Sequence, residues 1–522
     1  MPQELKLAIF GHLRPKELVR ASIVSREFHS ICFDGQLWTS FDASEFYTAI
    51  PAESLAKIVE AAGPFVKDLN LRGCIQVEHY NRADVVVKSC RNLVTATLEG
   101  CRNFQRATLH VLLSNNTRLA HLNLTDLAAV NNGSCKIISK SCPQLESLNV
   151  SWCSHMDSRG LKLVIAGCPK LRDLRCGEVR GFGGAAGLEV ATALFKTNNL
   201  ERLVLSGCSD ITDTTLKTII HGTDPETDLL TNRLLVPPRK LRHLDLSRCA
   251  HLTDNGLESL AHNVPYLQGL QLSSCNLLTD FSLSAVIATT PHLTHLDLEE
   301  VTPLTNNFLS AHLAKSPCVS HLEQLSVSYC EQIGDAGLLP LIRAATSLRN
   351  VDMDNTGISD LVLAEAAAMV RLRSLQGPQA AVGVRPQATL RLVVFDCVHV
   401  TWTGVREILS RNAEMMSPPL GTHAREVIAL KCYYGWQMTV DEHLKRVLRG
   451  EWAAAGRLER KWAEHMVANE EMGAGGTVAG ARRRRRRARA AAMLHADEEE
   501  GGVGMAGIGR RRRARSNGCA VM

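Results

Sequence analysis

Seventeen cysteines and nineteen histidines are the first candidates for chemistry in this chain. Thiolates act as nucleophiles and metal ligands, and imidazoles carry protons at neutral pH. Cys74, Cys101, Cys153, Cys208, Cys249, Cys275, Cys330 and Cys397 share one place, the ninth of the pattern L-x-x-L-x-L-x-x-C. No C-x-x-C pair and no His at zinc spacing accompanies them. Each therefore reads as a small buried group that turns the chain out of a strand, not as a metal ligand. His121, His243 and His295 fall at repeat-phase surface positions. There is no G-x-S-x-G, no phosphate-cradling glycine loop and no H-E-x-x-H, so catalysis, a metal and a cofactor are not expected. The opening Met1-Pro2-Gln3-Glu4-Leu5 carries no secretory signal, which points to a reducing, intracellular setting with free thiols. No apolar run reaches membrane-spanning length.

The elements that carry these residues repeat. Units begin at Leu93, Leu145, Leu200, Leu241, Leu267 and Leu322, with degenerate copies at Val66, Leu119, Leu171, Leu293, Leu348, Thr389 and Val427. Steps of about 26 residues recur, and longer steps reflect insertions near 222–240 and 375–388. In one unit, Leu241, Leu244 and Leu246 point inward from a short strand. Thr253-Asp254-Asn255-Gly256 then turns into the amphipathic stretch Leu257–Ala261, which Pro265 ends. One unit cannot bury its own apolar face, but stacked units share a core. Low aromatic content (5%) suits leucine-built packing. The expected fold is α/β: a horseshoe solenoid of about 12–13 repeats over 46–438.

The units resemble the cysteine-containing subfamily of leucine-rich repeats, with Leu205-Ser-Gly-Cys-Ser-Asp-Ile-Thr-Asp213 close to its consensus. Residues 1–45 do not fit the repeat. Leu5, Ile9 and Leu13 lie on one helical face, and Pro15 marks a second helix start. Pro2-x-x-Leu5, Ile9-Phe10, Leu13-x-Pro15, Leu18, Val24-Ser25-Arg26-x-Phe28 and Leu37-Trp38 together resemble an F-box. Where the family usually has Leu before the Pro, this chain has Met1, at the edge of the module or after a missing upstream segment.

The combination is similar to the F-box/leucine-rich-repeat substrate receptors of SCF-type ubiquitin ligases. That resemblance implies a non-catalytic subunit. It would hold a Skp-type adaptor through Pro2, Leu5, Ile9, Phe10, Leu13, Leu18, Val24 and Phe28, and through it cullin and RING subunits. It would bind a protein target on the repeats for ubiquitin-dependent proteasomal degradation. The other class of reading is a non-ligase scaffold of leucine-rich repeats, anchored at a membrane.

Residues between the leucines alternate onto the face expected to be concave. From Leu293 to Asn355 that face is acidic: Asp297, Glu299, Glu300, Asp352 and Asp354, with Tyr329 among them. It suits either a basic target segment or plain solvation. Tyr433 and Tyr434 read as rim or cap packing. Thr439-Val440-Asp441-Glu442 reads as a capping box opening a helix over 439–470 that closes the repeat end, although a membrane-surface helix has the same pattern.

The net charge of +6 conceals a split. From Ala481 to Met522 twelve arginines face four acidic residues, a net of +8, so the remaining chain sums to −2. Residues 473–522 read as a disordered Arg-rich tail. Cys519-Ala-Val-Met522 matches a prenylation motif, and Arg510–Arg515 beside it would strengthen contact with an anionic membrane. Arg482–Arg489 reads instead as a nuclear-localisation signal or a general polyanion contact, without the aromatics that specific nucleic-acid stacking needs. The expected location is cytoplasmic with membrane anchoring, or nuclear.

Overall fold

The computed structural model describes residues 2–44, 58–60, 62–74, 87–101, 104–230, 234–376, 385–414 and 426–473. The arginine runs, the acidic stretch 497–500 and Cys519 lie outside the described residues.

Three short helices open the chain: Gln3–Phe10, Pro15–Ser22 and Arg26–Cys32. Pro15 takes the first helical position, where its missing N–H costs nothing. Ser25 caps the third helix by accepting from Phe28 N at 3.1 Å. The first helix stops at Phe10, so Leu13 lies in the turn beyond it and not on one helical face with Leu5 and Ile9. Trp38 is fully buried, donates Nε1 to the Cys32 carbonyl at 2.6 Å, and stacks on Phe33. Its other neighbour, Phe41, already belongs to the sheet that follows.

That sheet has fourteen parallel strands paired in chain order, from Ser40–Asp42 to Glu426–Lys431. It starts one strand ahead of the first unit read at Val66. With only Phe41 pointing inward, Ser40–Asp42 leaves no leucine signature. Most strands are three residues long with a buried centre, such as Leu244, Leu270 and Leu296 in consecutive register. Helical segments cover one face, and the leucines between them form one continuous core running from Phe10 to Ala463.

Three features of the repeat follow from its geometry. First, one residue in nearly every turn after a strand has left-handed backbone. It is Gly73 and Gly100, then Asp126, Trp152, Glu178, Gly207, Arg248, Ser274, Glu300, Tyr329, Asn355 and Asp396. Second, where a cysteine follows that turn it is buried and donates its thiol to a carbonyl of the preceding repeat. Cys101 reaches Leu71 O at 3.0 Å, Cys275 reaches Leu246 O at 3.2 Å and Cys397 reaches Met353 O at 3.1 Å. Third, an aspartate opening one helix receives the cap residue of the next. Asp254 accepts from Thr279 N at 2.9 Å and Thr279 Oγ1 at 2.6 Å. Asp213 does the same for Thr253, Asp335 for Ser359 and Asp360 for Thr401. Gly256 and Gly404 make room for this reach, since a Cβ there would lie 2.3 and 2.2 Å from the oxygens of Asp213 and Asp360.

The insertion over 222–240 forms a two-stranded hairpin, Glu226–Thr227 with Leu234–Leu235. Buried Arg239 returns the chain to the solenoid by donating to the Phe195 and Leu194 carbonyls, both at 2.9 Å. The last strand leads into two helices, Tyr434–Arg449 and Trp452–Gly473, separated at Gly450, which is left-handed. The expected start at Thr439 is corrected: it lies inside the first of these helices. Asp441 pairs with Lys431, not with a helix end, so the sequence match to a capping box was coincidental. The second helix packs Trp462 edge-on against Trp402 and Trp436 and covers the end of the core.

Candidate functional sites

The eight residues expected at an adaptor surface divide by burial. Phe10 and Leu18 belong to the core, and Leu13 packs partly against it. Leu5, Ile9 and Val24 are 55%, 54% and 67% exposed, Phe28 is partly open, and Pro2 is exposed. An ion pair between Lys6 and Glu27 and an edge-on contact of Phe10 with Phe28 hold the first helix against the third. Leu5 and Ile9 are the chain neighbours of Lys6 and Phe10, the residues of the first helix that meet the third. Ile23, next to Val24 in the chain, is 84% exposed and stands outside the motif that the sequence shows. So many large exposed apolar side chains on a three-helix module make this a candidate partner surface.

The second site lies on the sheet face opposite the helices. Register aligns Asp297, Ser326, Asp352 and Val393 in one row. Two residues further on come Glu299, Ser328, Asp354 and Phe395, and one further Glu300, Tyr329, Asn355 and Asp396. All the expected acidic residues and Tyr329 thus share one surface. Elsewhere on this face several carboxylates are paired: Glu99 with Arg72, Asp173 with Arg175, Glu178 with Arg248, and Glu201 with Arg242. Among the described residues Asp297, Glu299, Glu300, Asp352, Asp354 and Asp396 form no such ion pair.

Partial burial and the surrounding carboxylates Asp297, Glu300, Asp352 and Asp354 push the Glu299 carboxyl up. Burial pushes up Asp352, countered by Arg391, and also Asp354, countered by the Phe395 N–H that it accepts at 2.8 Å. Asp352 Oδ1 is buried with no hydrogen-bond partner in the described structure. The patch is therefore held at a cost that an incoming cation would relieve.

The acidic surface runs into an aromatic one. Val394, Asp396, Cys397, Val400, Tyr433 and Trp436 line a cavity of about 250 Å³. Tyr434, 73% exposed, stacks on Phe395 at 4.8 Å, and Tyr433 meets Trp436 edge-on at 5.2 Å. Tyr433 is thus a wall of the cavity, and Tyr434 stacks beside it on Phe395. Phe395, Asp396 and Trp436 were missed in sequence because they sit in a degenerate repeat and a helix with no motif. A separate cluster joins distant repeats: exposed Trp152 lies under the Arg248 guanidinium at 5.7 Å, and Arg248 pairs with Glu178 at 3.1 Å.

Among the described residues no group of His, Cys, Asp and Glu is arranged to hold a metal ion. None of the helices among them is long and apolar enough to cross a membrane.

Residues 1–44 match the family model described as F-box-like, and residues 238–261 and 320–341 match the model described as leucine-rich repeat. Among solved structures, the Rad7–Elc1 complex of yeast is similar at 17% identity and a TM-score of 0.40, over 72% of this chain and 93% of that one. The TLR13–ssRNA13 complex is similar at 16% identity and a TM-score of 0.33, over 52% of this chain and 37% of that one. The leucine-rich-repeat protein LegL7 of Legionella pneumophila is similar at 17% identity and a TM-score of 0.36, over 56% of this chain and 95% of that one.

Proposed function

We propose that this chain, an F-box-like domain followed by leucine-rich repeats, is the target-binding subunit of an SCF-type ubiquitin ligase. The combination of modules supports a receptor role of that type in general; the particular contacts are our reading. Residues 1–45 are the adaptor module, 46–438 the target scaffold, and the terminal helices its cap. Leu5, Ile9, Val24 and Phe28, with Pro2 and Ile23 at the edge, enter a Skp-type adaptor. Phe10, Leu13 and Leu18 hold them from beneath. The target lies on the open sheet face, with Asp297, Glu299, Glu300, Tyr329, Asp352 and Asp354 as contacts. The chain itself makes and breaks no bonds. It accelerates ubiquitin transfer by holding the target near a charged enzyme on other subunits, which replaces a bimolecular encounter.

The observation that carries this reading is the group of over-half-exposed Leu5, Ile9, Ile23 and Val24 above a packed core. Burying one such side chain in a partner is worth about 2 kcal/mol. The test is co-purification of the full chain with a Skp-type adaptor. Leu5→Asp with Ile9→Asp should reduce adaptor recovery at least about a hundredfold. Its melting temperature should stay near that of the parent, because neither side chain is in the core. Retained adaptor in the double variant, or none with the parent chain, sinks the proposal.

A further inference from the structure

We propose that the acidic–aromatic end of the solenoid is a docking site for the chain's own Arg482–Arg487 segment, which thereby competes with targets for that face. The inference goes beyond the receptor reading, and its test contains no adaptor, so its failure would leave that reading where it stands.

The site has two complementary parts. One is the cavity lined by Val394, Val400, Tyr433 and Trp436, with Asp396 at its wall. A guanidinium is flat, weakly hydrated and able to stack on rings while its N–H groups meet a carboxylate, so such a cavity suits arginine better than lysine. The other part is the strip of unpaired carboxylates leading away from it. Asp354 joins the two directly, since its Oδ1 accepts from Phe395 N beside Asp396. With strands about 4.8 Å apart, Glu299 and Asp396 are separated by only about 14 Å across the sheet. The basic groups nearby are Arg391, which forms no ion pair with the strip, and Lys431, which is committed to Asp441. The strip is thus net negative.

The occupant is chosen by charge and reach. Six consecutive arginines stand at 482–487 in a chain whose remaining fold is slightly acidic. The last described helix delivers the chain to the correct place. Glu470 accepts from Trp402 Nε1 at 2.6 Å, and Trp402 lies two positions beyond Val400, a residue of the cavity wall. From Gly473, where that helix ends, to Arg482 the backbone can span up to about 30 Å, about twice the width of the strip. A tethered segment acts at an effective concentration near millimolar, so even a weak contact is populated.

The experiment measures fluorescence anisotropy of a labelled peptide with the sequence of residues 480–490, at low salt, against the full chain. The parent should bind it at least about tenfold more weakly than a variant in which Arg482–Arg487 are all Ser, because the parent's own segment occupies the site. In that Ser variant, adding Asp354→Asn and Asp396→Asn should weaken binding about tenfold. Asn keeps the acceptor for Phe395 N and tolerates the left-handed backbone at 396, so folding is preserved, and circular dichroism checks it. Glu258→Gln with Glu146→Gln, exposed and in earlier repeats, should change nothing. Equal binding by the parent and the Ser variant overturns self-occupancy and leaves the site to a basic segment of another protein. Equal loss in both carboxylate pairs, or no binding at all, overturns the site itself.

Discussion

The cysteines show how completely an environment can silence a reactive group. Burial pushes Cys90, Cys101, Cys135 and Cys208 up to about 12, and Cys153, Cys275 and Cys330 to about 11. A thiol that ionises so late is neither nucleophile nor ligand at neutral pH. Sixteen cysteines are buried and free. Titration of the native chain with a disulfide reagent should therefore modify at most Cys519, against all seventeen thiols in denaturant. Fast labelling of several native thiols would contradict the packing. His443 is buried with both ring nitrogens unpartnered in the described structure, and desolvation, aided by nearby Arg446, lowers it to about 4. The unfolded imidazole takes its proton near pH 6.5. A depressed folded value means that stability is full above that pH and falls as the pH drops from about 6.5 towards 4. The loss is on the order of 3 kcal/mol. His110, His221 and His243 are lowered too and add to the same trend. Comparing denaturant midpoints at pH 7 and pH 5 isolates the term: His443→Leu should show a visibly shallower decline than the parent.

Among the elements, the helix starts carry the joint between repeats. Asp254 receives both the amide and the hydroxyl of Thr279, and also the hydroxyl of Ser282. Asp254→Ala removes the acceptor for all three and leaves buried donors unpaired, which costs about 2–3 kcal/mol. Asp254→Asn, which keeps one acceptor oxygen, should cost about half as much. Amide exchange should quicken first around Thr279–Ile287, and uniform acceleration along the chain would argue against a local joint. The Thr-Asp pairing in Ile211-Thr212-Asp213 was visible in sequence as consensus. Its purpose was not, because the partner of each aspartate lies a whole repeat away and no local periodicity encodes it. The same limit hid Phe395, Asp396 and Trp436. Strand alternation put Asp297, Glu299, Asp352 and Asp354 on one surface correctly, since period two is a local property. That the aromatic cavity adjoins them depends on an irregular spacing between repeats, which only stacking resolves.

For the whole molecule, the notable fact is that module and scaffold share one core. Phe10 and Leu18 belong to the same buried cluster as the repeat leucines, and Trp38 sits where they meet. In sequence the two parts stand apart because the helical pattern ends before the leucine repeat begins. Ser40–Asp42, with a single inward residue, bridges them unseen. Trp38→Ala should cost about 3–5 kcal/mol. It should also split a shared unfolding transition, so that the N-terminal helices melt ahead of the repeats in calorimetry. An unchanged single transition would mean that the junction transmits nothing.

The left-handed residue after each strand has a consequence for how such a chain can change over time. Its side chain lies at the surface while the next residue, a cysteine in most repeats and Leu127, Val179, Val301 or Thr356 in the others, is buried and holds the stack. The position accepts Gly, Asp, Trp, Glu, Arg, Ser, Tyr and Asn alike. A substitution there alters what the molecule meets and leaves what it is made of untouched, so new specificities can be drafted one letter at a time on an unaltered frame.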